Sequence, residues 1–229
     1  MKKILAIVPA RGGSLELKNK NIKLFCGKPL ISHTIKKALK SKYIYKVVVS
    51  TDSEKIAKIS LQYGAEVPFL RPKKLSTNKA KIIDAFTFTI NRLRKKYDTS
   101  HFISLAPTSP LTNVEDINRA IELYFKKKAK SLISIVKNNK PIEWFLEKKI
   151  NNKITPYINK NFRSNRQQTK QLYIPNGAIY IFNSANLIKN NSYFNNLTYS
   201  YVMPKSRSID IDDKIDFQIA EYLFKKKFR

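Results

Sequence analysis

A single cysteine, Cys26, stands in 229 residues. One thiol can form neither an internal disulfide nor a thiolate metal cluster. Acids are scarce as well: 16 Asp and Glu face 45 Lys and Arg, a formal net charge of +29. That balance invites a nucleic-acid reading, but arginine is also in short supply. Only 9 of the 45 cations are Arg, and Arg is the residue that reads base edges and grips phosphate bidentately. The lysines are scattered over the whole length, so no specific nucleic acid is expected as a partner. A positive field still draws in small anionic substrates. There is no run of eighteen apolar residues, hence no expected membrane span. The apolar stretch behind Met1-Lys2-Lys3 is interrupted at Arg11, too early for the core of a secretory signal, and a cytoplasmic location is the expectation. Neither Gly-x-x-x-x-Gly-Lys-Ser/Thr nor Gly-x-Gly-x-x-Gly occurs.

What is present is enough for a core: 42% of residues are hydrophobic, on a length that suits one α/β domain. The chain is organised around its first turn. Ile4-Leu-Ala-Ile-Val8 reads as a buried strand stopped by Pro9, and Gly12-Gly13 allow a tight turn. Arg11, Ser14, Lys18, Asn19, Lys20 and Asn21 follow, all hydrogen-bond donors. A strand running into such a loop is a place for a polyphosphate. The same residues also read as an ordinary basic surface turn.

Further on, apolar residues at helical spacing predict helices over about 29–39, 54–63, 79–96 and 113–125, and a last one after Asp213. Strands are read at 46–50, 102–105, 131–136 and 199–203, with a turn feeding a strand over 173–182 and a short strand-like piece at 66–70. Alternating strands and helices signal a parallel sheet covered on both faces. Ala106-Pro-Thr-Ser-Pro-Leu-Thr112 makes a polar crevice wall at a strand's C-terminal end, where open α/β sheets bind ligands. Periodicity weakens over 137–171, read as an insert or as an arm for a second subunit. In Ser208-Ile-Asp-Ile-Asp-Asp213 an extended backbone puts Asp210 and Asp212 on one face and both isoleucines on the other. Two hard carboxylates suit Mg²⁺. Alternatively, Asp212 or Asp213 caps the final helix.

Several strings together resemble the CMP-sialic acid synthetases, the N-acylneuraminate cytidylyltransferase family. They are Ala10-Arg11, Ser14, Lys20-Asn21, Val49-Ser-Thr-Asp52, Leu70-Arg71-Pro72, Pro107-Thr-Ser-Pro-Leu111, Arg166-Gln-Gln168, Pro175-Asn-Gly-Ala-Ile-Tyr180 and Ser208-Ile-Asp-Ile-Asp212. The resemblance implies a Rossmann-like nucleotidyltransferase fold, a mostly parallel sheet flanked by helices, in one domain over 1–229 with 137–171 as a small dimerisation arm. It implies transfer of CMP from CTP to a nonulosonic (sialic-type) sugar acid, with Mg²⁺, in a homodimer. By the same resemblance Arg11 and Lys20 hold the triphosphate. Ala10, Ser14, Asn21 and Arg71 position the nucleotide, and Asp210 and Asp212 bind the metal. Arg166, Gln168, Asn176, Tyr180, Tyr193 and Phe194 are on the sugar side, Arg166 reaching from the other subunit. Departures from the family pattern are Leu15 and Asn78, where lysine and aspartate are common, together with Ala106, Thr112 and Glu143. They point to a different nonulosonic acid, of legionaminic or pseudaminic type, or to a weakened homologue. A cytidylyltransferase for 3-deoxy-manno-octulosonic acid is the runner-up among enzymes, against which the Asn176-Gly-Ala-Ile-Tyr180 and Ile209-Asp-Ile-Asp212 strings favour the sialic type. A basic binding module is the reading outside enzymes, and it leaves the Asp pair unexplained.

Overall fold

The structure is a computed structural model that describes residues 2–14, 16–158 and 170–227. Ten strands and six α-helices alternate along it. The strands are β1 (Ile4–Pro9), β2 (Leu24–Phe25), β3 (Lys28–Pro29), β4 (Ile44–Ser50), β5 (His101–Leu105), β6 (Ser131–Lys137), β7 (Leu146–Lys148), β8 (Ile154–Pro156), β9 (Tyr173–Asn183) and β10 (Thr198–Val202). The helices are α1 (Leu30–Lys40), α2 (Glu54–Gln62), α3 (Ile82–Leu93), α4 (Val114–Lys126), α5 (Ser184–Asn190) and α6 (Lys214–Lys227). Six strands form the central sheet in the order β10-β6-β9-β5-β1-β4.

All neighbours in this sheet are parallel except β9, which runs antiparallel between β5 and β6. The reason is the connection. Parallel neighbours need a crossover, but the chain leaves β6 at its C-terminal end, makes the small β7–β8 hairpin, and returns at the same end. Lys137 then pairs with Tyr173. The read strand piece at 66–70 shrinks to one bridge, Glu66 with Val48. Pro68 has no N–H to continue a ladder.

Strand alternation divides the core. Ile4, Ala6 and Val8 face α1, α2 and α4, while Leu5 and Ile7 face α3 and α5. A third cluster joins the β2–β3 hairpin to α6 through Phe25, Leu30, Ile211 and Phe217. The hairpin turns on two left-handed residues, Cys26 (φ 47°) and Gly27 (φ 80°), the backbone that two-residue hairpins favour. Helix starts follow the sequence: the Ser53 hydroxyl accepts from the Ile56 N–H, and Asn113 with Asp116 makes a reciprocal capping box. Among the described residues no helix is long and apolar enough to cross a membrane.

Candidate active site

The C-terminal ends of β1 and β5 open onto a cleft of about 280 Å³. Chain order places a crossover there: β4 follows β1 on one side and β5 lies on the other, the geometry at which open α/β sheets bind ligands. One wall is the basic first loop, with Arg11, Ser14, Lys20 and Asn21. The opposite wall is Ala106-Pro107-Thr108, and Asp212 closes one end. Residues separated by some two hundred positions in sequence therefore meet.

The first loop is held from below. The Gly12 N–H donates to Asp52 Oδ1 at 2.9 Å, and Asn21 Nδ2 donates to the Arg11 carbonyl at 3.0 Å. A Cβ on Gly12 would stand 3.1 Å from that of Ser53, so the turn packs on the loop after β4. Asn21 is largely buried yet lines the cleft, and its amide bond to Arg11 shapes the loop. Ala10 lies in the core, with its N–H on the Ser50 carbonyl at 3.0 Å. Any contact of Ala10 with a ligand is through its backbone. Arg11 reaches Asn78 Oδ1 at 2.6 Å, a neutral acceptor that leaves the guanidinium charge uncompensated by that contact. Arg71 is 4% exposed, with Nε on Ser76 Oγ at 2.9 Å and Nη1 without a hydrogen-bond partner among the described residues. Burial lowers its pKa from the ordinary arginine value, partly opposed by Asp52 and reinforced by Arg11. A buried, half-satisfied guanidinium lining a cleft has donor capacity for a ligand.

Across from these cations lies the acidic strap. Residues 208–212 form no strand: Ile209 and Ile211 enter the third core cluster, Asp212 lines the cleft, and Asp210 lies behind it. Lys20 Nζ donates to the Ile211 carbonyl at 2.6 Å and to Asp212 Oδ1 at 3.1 Å. The Ile211 N–H donates to the Thr108 carbonyl at 2.8 Å, fixing the strap to the wall. Asp210 is held differently from Asp212. Burial raises its pKa above the usual carboxylate value and Asp212 adds to this, while hydrogen bonding from Thr108 and the charge of Lys20 oppose. Its Oδ1 is buried with no hydrogen-bond partner among the described residues. An unmatched carboxylate oxygen beside a second carboxylate fits a hard divalent cation that takes its other ligands from water and phosphate. Among the described residues no group of three or more His, Cys, Asp or Glu side chains is arranged to hold a metal ion, so protein ligands alone do not complete a cage.

Sequence reasoning missed Gly177. It has φ 75°, and a Cβ there would fall 2.5 Å from Asp210 Oδ2. Where β6 spends only Ser134, β9 spends residues 176–179, and this bulge makes room for the carboxylate. Asn176, read as a sugar contact, is 5% exposed. Its Oδ1 accepts from Ser134 Oγ (2.5 Å) and the Ala178 N–H (3.3 Å), while Nδ2 faces Ser208 Oγ (2.9 Å) and Met203 Sδ (3.3 Å). The amide is consumed inside the protein and ties the bulge to the strap. Tyr180 and Tyr193 pack together with ring centroids 5.6 Å apart, and burial raises both pKa values, that of Tyr193 to about 12. Tyr180 is also within electrostatic reach of Asp210. Phe194 is 65% exposed and stands outside the core clusters. Ser109 and Thr112, expected on the crevice wall, are buried behind it, with no hydrogen-bond partner for either hydroxyl among the described residues. Leu15, Arg166 and Gln168 lie outside the described residues.

The chain matches a family model described as cytidylyltransferase over residues 5–228. It is 36% identical over 228 residues to the N-acylneuraminate cytidylyltransferase of Escherichia coli O18:K1:H7, covering 99% of this chain and 53% of that one. It therefore spans about half the length of that relative. It is 35% identical over 234 residues to the CMP-N,N'-diacetyllegionaminic acid synthase of Legionella pneumophila, covering 96% of each. A solved CMP:2-keto-3-deoxy-manno-octonic acid synthetase complexed with CTP shares the fold, with a TM-score of 0.73 at 14% identity, covering 99% of this chain and all of that one.

Proposed function

The chain belongs to the cytidylyltransferase family, and from that premise we propose that it transfers CMP from CTP to the anomeric hydroxyl of a sialic-acid-like nonulosonic acid and releases pyrophosphate. The observation that carries this reading is the cleft itself, lined by Arg11, Lys20, Arg71 and Asp212, with Asp210 buried two residues before Asp212 on the same strap. The sugar acid is of sialic, legionaminic or pseudaminic type.

In this reading Arg11 and Lys20 hold the triphosphate and offset the charge that grows on the departing pyrophosphate. Arg71 and the Ser14 hydroxyl orient the nucleotide. The sugar hydroxyl attacks the α-phosphorus in line, its oxygen forms the new P–O bond, and the bond to the pyrophosphate oxygen breaks. The hydroxyl proton passes to a carboxylate of the Asp pair. Such a reaction is mostly positioning and charge neutralisation. Asp210 and Asp212 would hold Mg²⁺, which supplies charge neutralisation on the phosphate oxygens. Tyr180 and Tyr193 border the sugar side, with Arg166 and Gln168 assigned there by resemblance. The segment 137–171 serves a homodimer. Its exposed Phe145, Leu146, Ile150, Ile154 and Tyr157 are the apolar surface that a second copy would cover.

The test is pyrophosphate release from CTP and Mg²⁺ with a panel of sialic, legionaminic, pseudaminic and 3-deoxy-manno-octulosonic acids. Release with one of the first three supports the reading. Release only with the fourth reassigns the sugar, and release with none overturns the enzyme.

A further inference from the structure

The most deeply buried carboxylate of the chain lies outside the cleft. Asp116, in the first turn of α4, is 1% exposed. Its Oδ2 accepts from the Asn113 N–H at 3.2 Å, completing the capping box. The same carboxylate accepts both arms of Arg207, Nε at 2.7 Å and Nη2 at 2.8 Å, and the Tyr201 hydroxyl at 3.1 Å. A helix cap needs only the first of these bonds. The bidentate pair, with the carboxylate buried and Arg207 30% exposed, is a separate device, and an ion pair with a buried member is weak evidence of a stabilising purpose.

The two ends of this pair decide what it does. Asn113 directly continues the crevice wall 106–112, whose Thr108 carbonyl receives the strap at Ile211. Arg207 ends a one-turn helix, Lys205–Arg207, three residues before Asp210. Between them Ser208 Oγ is pinned to Asn176 and to the Pro204 carbonyl. One buried carboxylate thus ties Asn113, the residue after the wall, to Arg207, the residue before the strap, without itself lining the cleft.

We propose that Arg207, gripped by Asp116, is a positioning residue that sets where the Asp210 carboxylate stands relative to the Thr108 wall. The proposal rests on the reading of Asp210 and Asp212 as the Mg²⁺ ligands. Arginine is required because its planar fork fixes an orientation that a lysine point charge does not. Partners that orient a metal-binding carboxylate from outside typically govern about 10-fold to 100-fold in metal affinity or activity.

The test compares the wild type with Arg207→Lys and Asp116→Asn, which keep size and most packing. Three quantities are read: the melting temperature, CTP affinity without metal, and the affinity for Mn²⁺ in the presence of CTP by electron paramagnetic resonance. The expected result is CTP affinity within about twofold, and Mn²⁺ affinity weaker by about 10-fold or more in whichever variant folds. A lowered melting temperature with unchanged Mn²⁺ affinity makes the pair purely structural and overturns the proposal. Wild-type protein that binds no Mn²⁺ with CTP overturns the metal reading and the proposal with it. Wild-type binding with unaffected variants overturns the proposal alone.

Discussion

At the residue scale the decisive feature is the environment of Asp210. Its raised pKa means that the folded state holds the proton more tightly than the unfolded one. The contribution of Asp210 to stability is therefore most favourable at acid pH, and it is lost as pH rises from the ordinary value of 3.8 through the raised one. Asp210→Asn removes this dependence. At pH 7 it should melt no lower than the wild type while losing CMP transfer by at least about a hundredfold, the trade-off expected where a charge is buried for function. Thermal melts across pH, paired with a pyrophosphate assay, check both halves. Asp212→Ala should abolish the Mg²⁺-dependent rate with little effect on folding, because Asp212 is exposed and its partner Lys20 keeps the Ile211 carbonyl. Gly177→Ala meets both the positive φ and the 2.5 Å approach to Asp210. Its cost should be about 1–3 kcal/mol by urea denaturation, with an activity loss larger than that destabilisation explains. Arg11, Lys20, Asp210 and Asp212 could be picked out as candidates in the sequence, the Asp pair by residue type and spacing and the two cations by resemblance. The approach of Gly177 to Asp210 and the grip of Asp116 on Arg207 could not, because each joins residues tens of positions apart.

At the element scale, most helices and strands could be read from period and caps alone: the Asn113–Asp116 box, the Ser53 cap, and Gly64 in the left-handed region at φ 88°. The direction of β9 could not. A strand's hydrophobic pattern is the same in either direction, and only the hairpin excursion at one end of β6 makes β9 antiparallel. That reversal puts the 176–179 bulge beside Asp210. Helix α6 has a comparable part. It follows the strap directly and is anchored by Phe217 and Phe224 against Phe25, with ring centroids 5.5 and 5.3 Å apart. Phe25 is fully buried, and Phe25→Ala should cost about 3–5 kcal/mol, measurable by chemical denaturation. His33 sits on the same cluster, with its Nε2 on the Phe25 carbonyl at 2.9 Å. Burial lowers its pKa, with the neighbouring lysines contributing and the Phe25 bond opposing. Proton uptake thus favours the unfolded chain, and stability should fall as pH drops below the ordinary histidine value of 6.5. His33→Gln, which keeps a donor, should flatten that part of the pH profile.

At the scale of the whole molecule, the charge of +29 and the fold divide the work. The scattered lysines form a field that gathers anions without selecting among them, and salt should weaken that contribution. Under the proposed function selection belongs to the cleft, where the first loop and Asp212 of the strap meet at the sheet's C-terminal edge. The measurement that reaches this claim most directly is a crystal structure with CTP and Mg²⁺ bound. The account predicts the triphosphate between Arg11 and Lys20 on one side and Asp210 and Asp212 on the other, with electron density for a cation touching both carboxylates. A nucleotide bound elsewhere on the basic surface, with both carboxylates left as they stand, would contradict it.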